Sequence, residues 1–219
     1  MIKKIQNDKT VSIDKSWRIL LEAALFEGRC GHRAEARKQF DFLLRKCRHN
    51  GPAFVEASKY EERENQLARA IDLCEEGLEH SPKCNPLWFQ YLRLYEKADA
   101  RLREQKFDRL NLIVQDLFSH ISKEFHWKVH TELAQLFDRQ GDDRKTEGHL
   151  RSALLESPES MKWKLWLLAA RLLQNAGQVD EARLCIERAC LDVPPKQVAT
   201  ALLEYAKYFE ALGERERAL

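Results

Sequence analysis

The sequence predicts an all-α fold: a right-handed superhelical α-solenoid of about five and a half stacked helical hairpins. Three observations predict it. Among 219 residues there are only 8 Gly and 6 Pro, and charged residues make up 33%; Leu, Ala, Glu, Arg and Lys dominate, and these lose little freedom in a helix. A fixed spacing recurs: counted from Trp166 as zero, Gly177 lies at 11, Ala182 at 16, Ile186 at 20, Ala189 at 23 and Pro194 at 28. The zero points Leu20, Phe54, Trp88, His130, Trp166 and Leu202 stand 34, 34, 42, 36 and 36 residues apart, the period of a helix-turn-helix array.

Each position has a physical reason. Large apolar residues at 0, 3 or 4, and 7 make one face of a first helix, as Trp166, Ala169, Ala170 and Leu173 do. Glycine at 11 permits the left-handed backbone that ends that helix. Small residues at 16 and 23 let a second helix approach closely, and Pro at 28 stops it. A lone hairpin cannot cover its apolar face, so neighbours stack.

Taken in order, residues 1–16 form a polar N-terminal leader, and 17–219 the repeat domain. Repeat 17–51 carries Leu20, Gly31, Ala36, Phe40 and Leu43; repeat 52–85 carries Phe54, Ala70, Cys74, Gly77 and Pro82. Repeat 86–124 starts at Trp88 and lacks the glycine, because the charged, helix-prone stretch ADARLREQKFDRL lengthens its connection. Repeat 125–160 carries His130, Gly141, Leu150, Ala153 and Pro158, with Thr146 in place of alanine; repeat 161–196 is the reference window. Repeat 197–219 is incomplete: Gly213 and Ala218 fit, and the sequence stops where a second helix would begin. That ending predicts a fragment of a longer protein or a half-repeat supplied by a partner.

These residues resemble the tetratricopeptide repeat. Two features resemble its RNA-processing variant, the half-a-tetratricopeptide (HAT) repeat: aromatic-plus-acid first helices, with Phe54, Tyr60 and Glu61 or Trp88, Tyr91, Tyr95 and Glu96, and the run Ala182, Arg183, Glu187, Arg188, Ala189. Repeat 125–160 departs, with Leu133, Ala134 and Phe137 as in an ordinary tetratricopeptide unit, and it lacks the Glu-Arg-Ala run, as does the first repeat. The resemblance implies a non-enzymatic protein-interaction scaffold in a nuclear RNA-processing assembly (splicing, 3′-end cleavage or ribosomal RNA maturation), with dimerisation through the repeats. Two alternatives are a cytoplasmic tetratricopeptide adaptor for a short acidic or C-terminal peptide, and a solenoid that threads single-stranded RNA.

Other classes fare poorly. Lys plus Arg is 37 against 35 for Asp plus Glu, a net charge of +2, so no global field favours nucleic acid or membrane. Apolar runs such as LWLLAARLL are far short of a bilayer span, and the N-terminus lacks the apolar stretch of a secretory signal. The six Cys are irregularly spaced, as reduced thiols are. No phosphate-binding glycine loop, metalloprotease motif or catalytic triad spacing is present, so the sequence calls for no enzyme activity, cofactor, metal or small-molecule substrate. Cys30 with His32 and Cys47 with His49 could ligate zinc, but helical spacing sets the pairs ~24 Å apart. His126, His130 and His149 read as packing or surface residues, and Trp127, Trp163 and Trp166 as packing between repeats.

The inner wall carries the remaining signal. Five places after zero stand Leu25, Lys59, Arg93, Gln135, Arg171 and Lys207. Four of the six are basic, and Arg18, Lys128 and Lys164, two places before zero, widen the stripe. The expected site is a ladder of Lys59, Arg93, Arg171 and Lys207 receiving an acidic or extended segment of a protein partner, with RNA contacted only weakly or indirectly. Against it, Glu56, Glu62, Glu96, Asp138 and Glu204 stand near enough to neutralise these bases locally.

Overall fold

Position 11 of the spacing decides where each hairpin turns. In the computed structural model, which describes residues 13–99, 106–211 and 213, Gly31, Gly141, Gly177 and Gly213 all have φ between 72° and 81°. Asn65 holds the same place in the second repeat at φ 59°, a conformation asparagine tolerates better than most residues. After four of these turns the next N–H donates back to the carbonyl five residues earlier: His32 to Glu27, Gln66 to Glu61, Asp142 to Phe137 and Gln178 to Leu173, at 2.9–3.0 Å. That bond closes a Schellman motif and satisfies carbonyls the helix leaves unpaired.

The helices follow from these stops. The first unit, residues 1–121, holds α1 (Ile13–Arg29), α2 (Arg33–Lys46), α3 (Gly51–Arg63), α4 (Leu67–His80), α5 (Asn85–Asp99) and α6 (Lys106–His120). The second unit, residues 122–219, holds α7 (His126–Gln140), α8 (Asp143–Glu156), α9 (Glu159–Asn175), α10 (Val179–Asp192) and α11 (Val198–Ala211). α1 starts within the stretch read as leader, and 100–105, most of the long connection, lies outside the described residues, as does the sixth repeat beyond Gly213. α4, α8 and α10 each end two residues before the proline at position 28. Asn50 and Asp142 cap α3 and α8, their Oδ1 atoms accepting from the Ala53 and Lys145 N–H at 3.1 Å.

Each unit is an all-α stack of antiparallel hairpins. In the first, Phe54, Leu87, Leu94 and Leu117 are fully buried. Gly77 shows why position 23 must be small: a Cβ there would lie 2.7 Å from Leu87 Cδ2 and 2.8 Å from Phe54 Cβ. Polar groups also tie hairpins together: Tyr91 and Tyr95 of α5 donate to Glu75 of α4 at 2.8 and 3.2 Å, and Ser58 Oγ donates to the Ala70 carbonyl at 2.9 Å. In the second unit Ala170, Ala182, Ile186, Tyr208 and Phe209 form one core cluster, and Ala134, Leu150, Ala169 and Leu172 another. Trp163 is buried, and Trp166 donates its indole N–H to Asp192 at 3.2 Å. No described helix is long and apolar enough to cross a membrane.

Candidate partner-binding grooves

The cysteine chemistry is quiet. All six thiols are free; burial pushes Cys74 up to about 12 and raises Cys84, Cys185 and Cys190 as well, which suppresses the nucleophilic thiolate. Cys30 and His32 flank the turn before α2, while Cys47 and His49 follow its other end, so the 14-residue helix separates the two pairs. His32 contacts Glu27 at 2.7 Å, and His49 contacts the His80 carbonyl at 3.1 Å. Among the described residues no cluster of three metal-ligating side chains forms.

His130 and His149 do meet, Nδ1 to Nδ1 at 2.9 Å, with the Phe137 ring stacked on His149. Burial, then the charges of His130 and Lys145, push His149 down to about 4. Burial also lowers His130, opposed by Glu156 and reinforced by His126. One proton can bridge the two rings; two protonated rings cannot share it. Because the folded values lie below the ordinary one of 6.5, the unfolded chain binds protons first, so stability is full above pH 6.5 and declines toward pH 4. Thermal melts of the second unit are therefore expected to lose about 1–2 kcal/mol between pH 7.5 and pH 5, and His149→Phe to flatten that dependence. An unchanged pH profile in the variant would refute the assignment.

The predicted ladder divides between the two units. In the first, Lys59 of α3 bonds Glu56 at 2.8 Å, while Arg93 of α5 donates Nε to the Phe89 carbonyl at 3.2 Å. Lys59, Arg63 and Lys97 share with Glu56, Glu62 and Asn65 an open cavity of about 590 Å³. Burial pushes the Glu62 carboxyl up, but hydrogen bonds from Lys97 and Gln90 and the charges of Lys97 and Arg93 outweigh that and leave it below the usual range. Of the acids set against the ladder, Glu56 pairs with Lys59 and Glu62 with Lys97. Arg63 and Lys97, both nine places after their zero points, joined the wall without being anticipated.

The second unit offers a different surface. Between α9 and α11 runs a groove of about 520 Å³. Leu167, Leu168, Ala170 and Ile186 supply an apolar floor, Trp163 and Tyr208 aromatic walls, and Lys164, Arg171 and Lys207 a basic rim. Lys207 bonds Glu204 at 2.8 Å, and the Lys164 ammonium sits 5.4 Å from the Trp163 ring centre. Arg171 is exposed and, among the described residues, forms no ion pair. Its guanidinium is thus available for a bidentate carboxylate contact.

Comparison with known proteins agrees with this architecture. A TPR-containing protein of Dictyostelium discoideum is 39% identical over 128 residues, which is 58% of this chain and 10% of that protein; the chain thus spans a small part of this relative. The type IV pilus biogenesis factor PilW superposes with a TM-score of 0.57 at 16% identity, covering 92% of this chain and 88% of that one. Cut9, in a hetero-tetramer with Hcn1 from the APC/C, superposes at 0.54 with 14% identity, covering 99% and 40%. At such identities the likeness is one of fold. The family model described as PRP6, TPR-like domain, matches residues 2–219, and the chain belongs to that family.

Proposed function

We propose that this domain is a protein-docking scaffold of a nuclear RNA-processing assembly, and that the groove between α9 and α11 holds an acidic, extended segment of a partner. Membership of the PRP6 TPR-like family and the HAT-like Ala-Arg and Glu-Arg-Ala run support the setting. The observation that carries the docking reading is the groove itself: an apolar floor that can bury side chains beneath three cations, one of them the unpaired Arg171. In the other unit Lys59 stands in a cavity shared with Glu56 and Glu62, and it serves with Arg93 as a secondary contact.

The test uses a labelled acidic peptide containing one aromatic residue, titrated by anisotropy. Arg171→Glu with Lys164→Glu is expected to weaken binding at least ~10-fold, and Lys59→Glu with Arg93→Glu by less. Equal affinity for wild type and the Arg171/Lys164 variant sinks the groove. So does preferential binding of an oligo(U) RNA with a steep loss in salt, the mark of counterion release.

A further inference from the structure

Positions 18 and 25, counted from each zero point, face outward on the second helix of every repeat whose spacing is unbroken. Lys38 and Arg45, Asp72 and Glu79, Gly148 and Leu155, and Leu184 and Leu191 are all exposed. In the first unit this phase carries charge. In the second it carries Leu155, Leu184 and Leu191, 79%, 66% and 78% exposed, and leucine at one outward phase of two successive repeats is not single surface scatter. The end of the chain does not account for it, because Leu155 is bare although α10 follows it. Gly148 is a second observation. A glycine inside a helix costs stability relative to alanine, yet a Cβ there would meet no atom within 4 Å, so nothing in the described fold requires the bare backbone.

We propose that this outer face of α8 and α10 binds a second copy of the same chain. The charges between the leucines choose the occupant. Positions 14 and 21 of the same stripe are Arg144 and Arg151 on α8 but Asp180 and Glu187 on α10, all four exposed. The flanking Glu147 and Arg188 are engaged within their own helices, by Arg151 and Asp192. α8 and α10 lie side by side with equivalent positions level, since Cys185 at position 19 packs on the cluster that holds Leu150 at position 20. A two-fold axis parallel to the two helices and midway between them therefore sets α8 of each copy on α10 of the other, position against position. Arg144 then meets Asp180, Arg151 meets Glu187, Leu155 meets Leu191, and Leu184 enters the space over Gly148, each contact occurring twice. A two-fold axis across the helices instead lays basic stripe on basic stripe and acidic on acidic, so like charges oppose it. A helix of another protein would have to match both stripes at once, which the chain already does for itself.

Analytical ultracentrifugation of the whole chain tests this. A reversible monomer–dimer equilibrium is expected, with Kd in the ~10–100 μM range, and Leu184→Gln with Leu191→Gln should weaken it at least ~10-fold. Arg144→Glu with Arg151→Glu should leave the chain monomeric where wild type dimerises, as should Asp180→Lys with Glu187→Lys. An equimolar mixture of these two charge variants should dimerise again, because every contact then pairs opposite charges. All the substituted side chains are exposed, and recovery on mixing separates a lost interface from a lost fold. A monomer at every concentration overturns the proposal and leaves the stripe to another protein or to a further segment of a longer chain. A dimer that survives the leucine substitutions, or charge variants that stay monomeric when mixed, also overturns it. None of these variants touches Lys164, Arg171 or Lys207, so the outcome is read separately from peptide binding in the groove between α9 and α11.

Discussion

Phe54→Ala is expected to lower the stability of the first unit by about 3–5 kcal/mol, read as a shift of the urea midpoint with unchanged slope. Phe54 is fully buried on α3, and its Cβ and ring carbons face the bare backbone of Gly77 on α4. Gly77 has no side chain to fill the cavity left by the ring, which limits collapse from that side and places the cost at the upper end of such substitutions. A second substitution tests the cause. Gly77→Leu alone overpacks the same contact, because even a Cβ there meets Leu87 and Phe54 within 2.8 Å. Combined with Phe54→Ala it enters vacated space, and the double variant should be more stable than the sum of the two single losses implies, by at least ~1 kcal/mol. Strict additivity would mean that the two positions do not share one volume. Leu155→Ala, 79% exposed, should stay within about 0.5 kcal/mol of wild type.

That contact also shows what the sequence made legible. Positions 16, 20 and 23 are set by the distance between the helices of one hairpin, so Ala70, Cys74 and Gly77 could be placed from spacing alone, and all are buried. The stop at position 28 is equally local, since proline ends a second helix wherever it falls. Asn65 occupies the turn position that glycine fills in four other repeats, and a glycine count passes over it although asparagine tolerates the same backbone.

Contacts between hairpins were less legible because they depend on how successive repeats rotate, which a single-repeat spacing does not encode. Position 5 picks out Lys59, Arg93, Arg171 and Lys207 alike, but only the structure distinguishes Arg171, beside an apolar floor, from Lys59, bonded to Glu56. Arg63 and Lys97 share position 9, a phase that leaves the first helix on the same side as position 5 only near its end. Ile19 and Phe26 look in sequence like core residues of an ordinary repeat. What sets them apart is their 57% exposure, which the spacing within a single repeat does not register.

The second large effect concerns the carboxylate that joins the first two hairpins. Glu61 of α3 has a 3% exposed side chain and accepts from Arg37 of α2 at 2.7 and 2.9 Å, while Arg69 Nε of α4 stands 3.1 Å away. Burying that charge is costly, and the fork of Arg37 offsets the cost only while it is present. Arg37→Leu is therefore expected to destabilise the first unit by about 2–4 kcal/mol, below the full penalty for an orphaned buried charge because Arg69 still reaches Glu61. Glu61→Leu should cost much less, roughly 1 kcal/mol or under. It removes the only buried charge of the group, fills the space with carbon, and leaves Arg37 and Arg69, with side chains 31% and 42% exposed, free to extend to water. Urea titrations of the two variants decide the matter. If Glu61→Leu proved as damaging as Arg37→Leu, the ion pair would be a net source of stability rather than a charge held in check, and the joint between the hairpins would owe its rigidity to attraction instead of to packing.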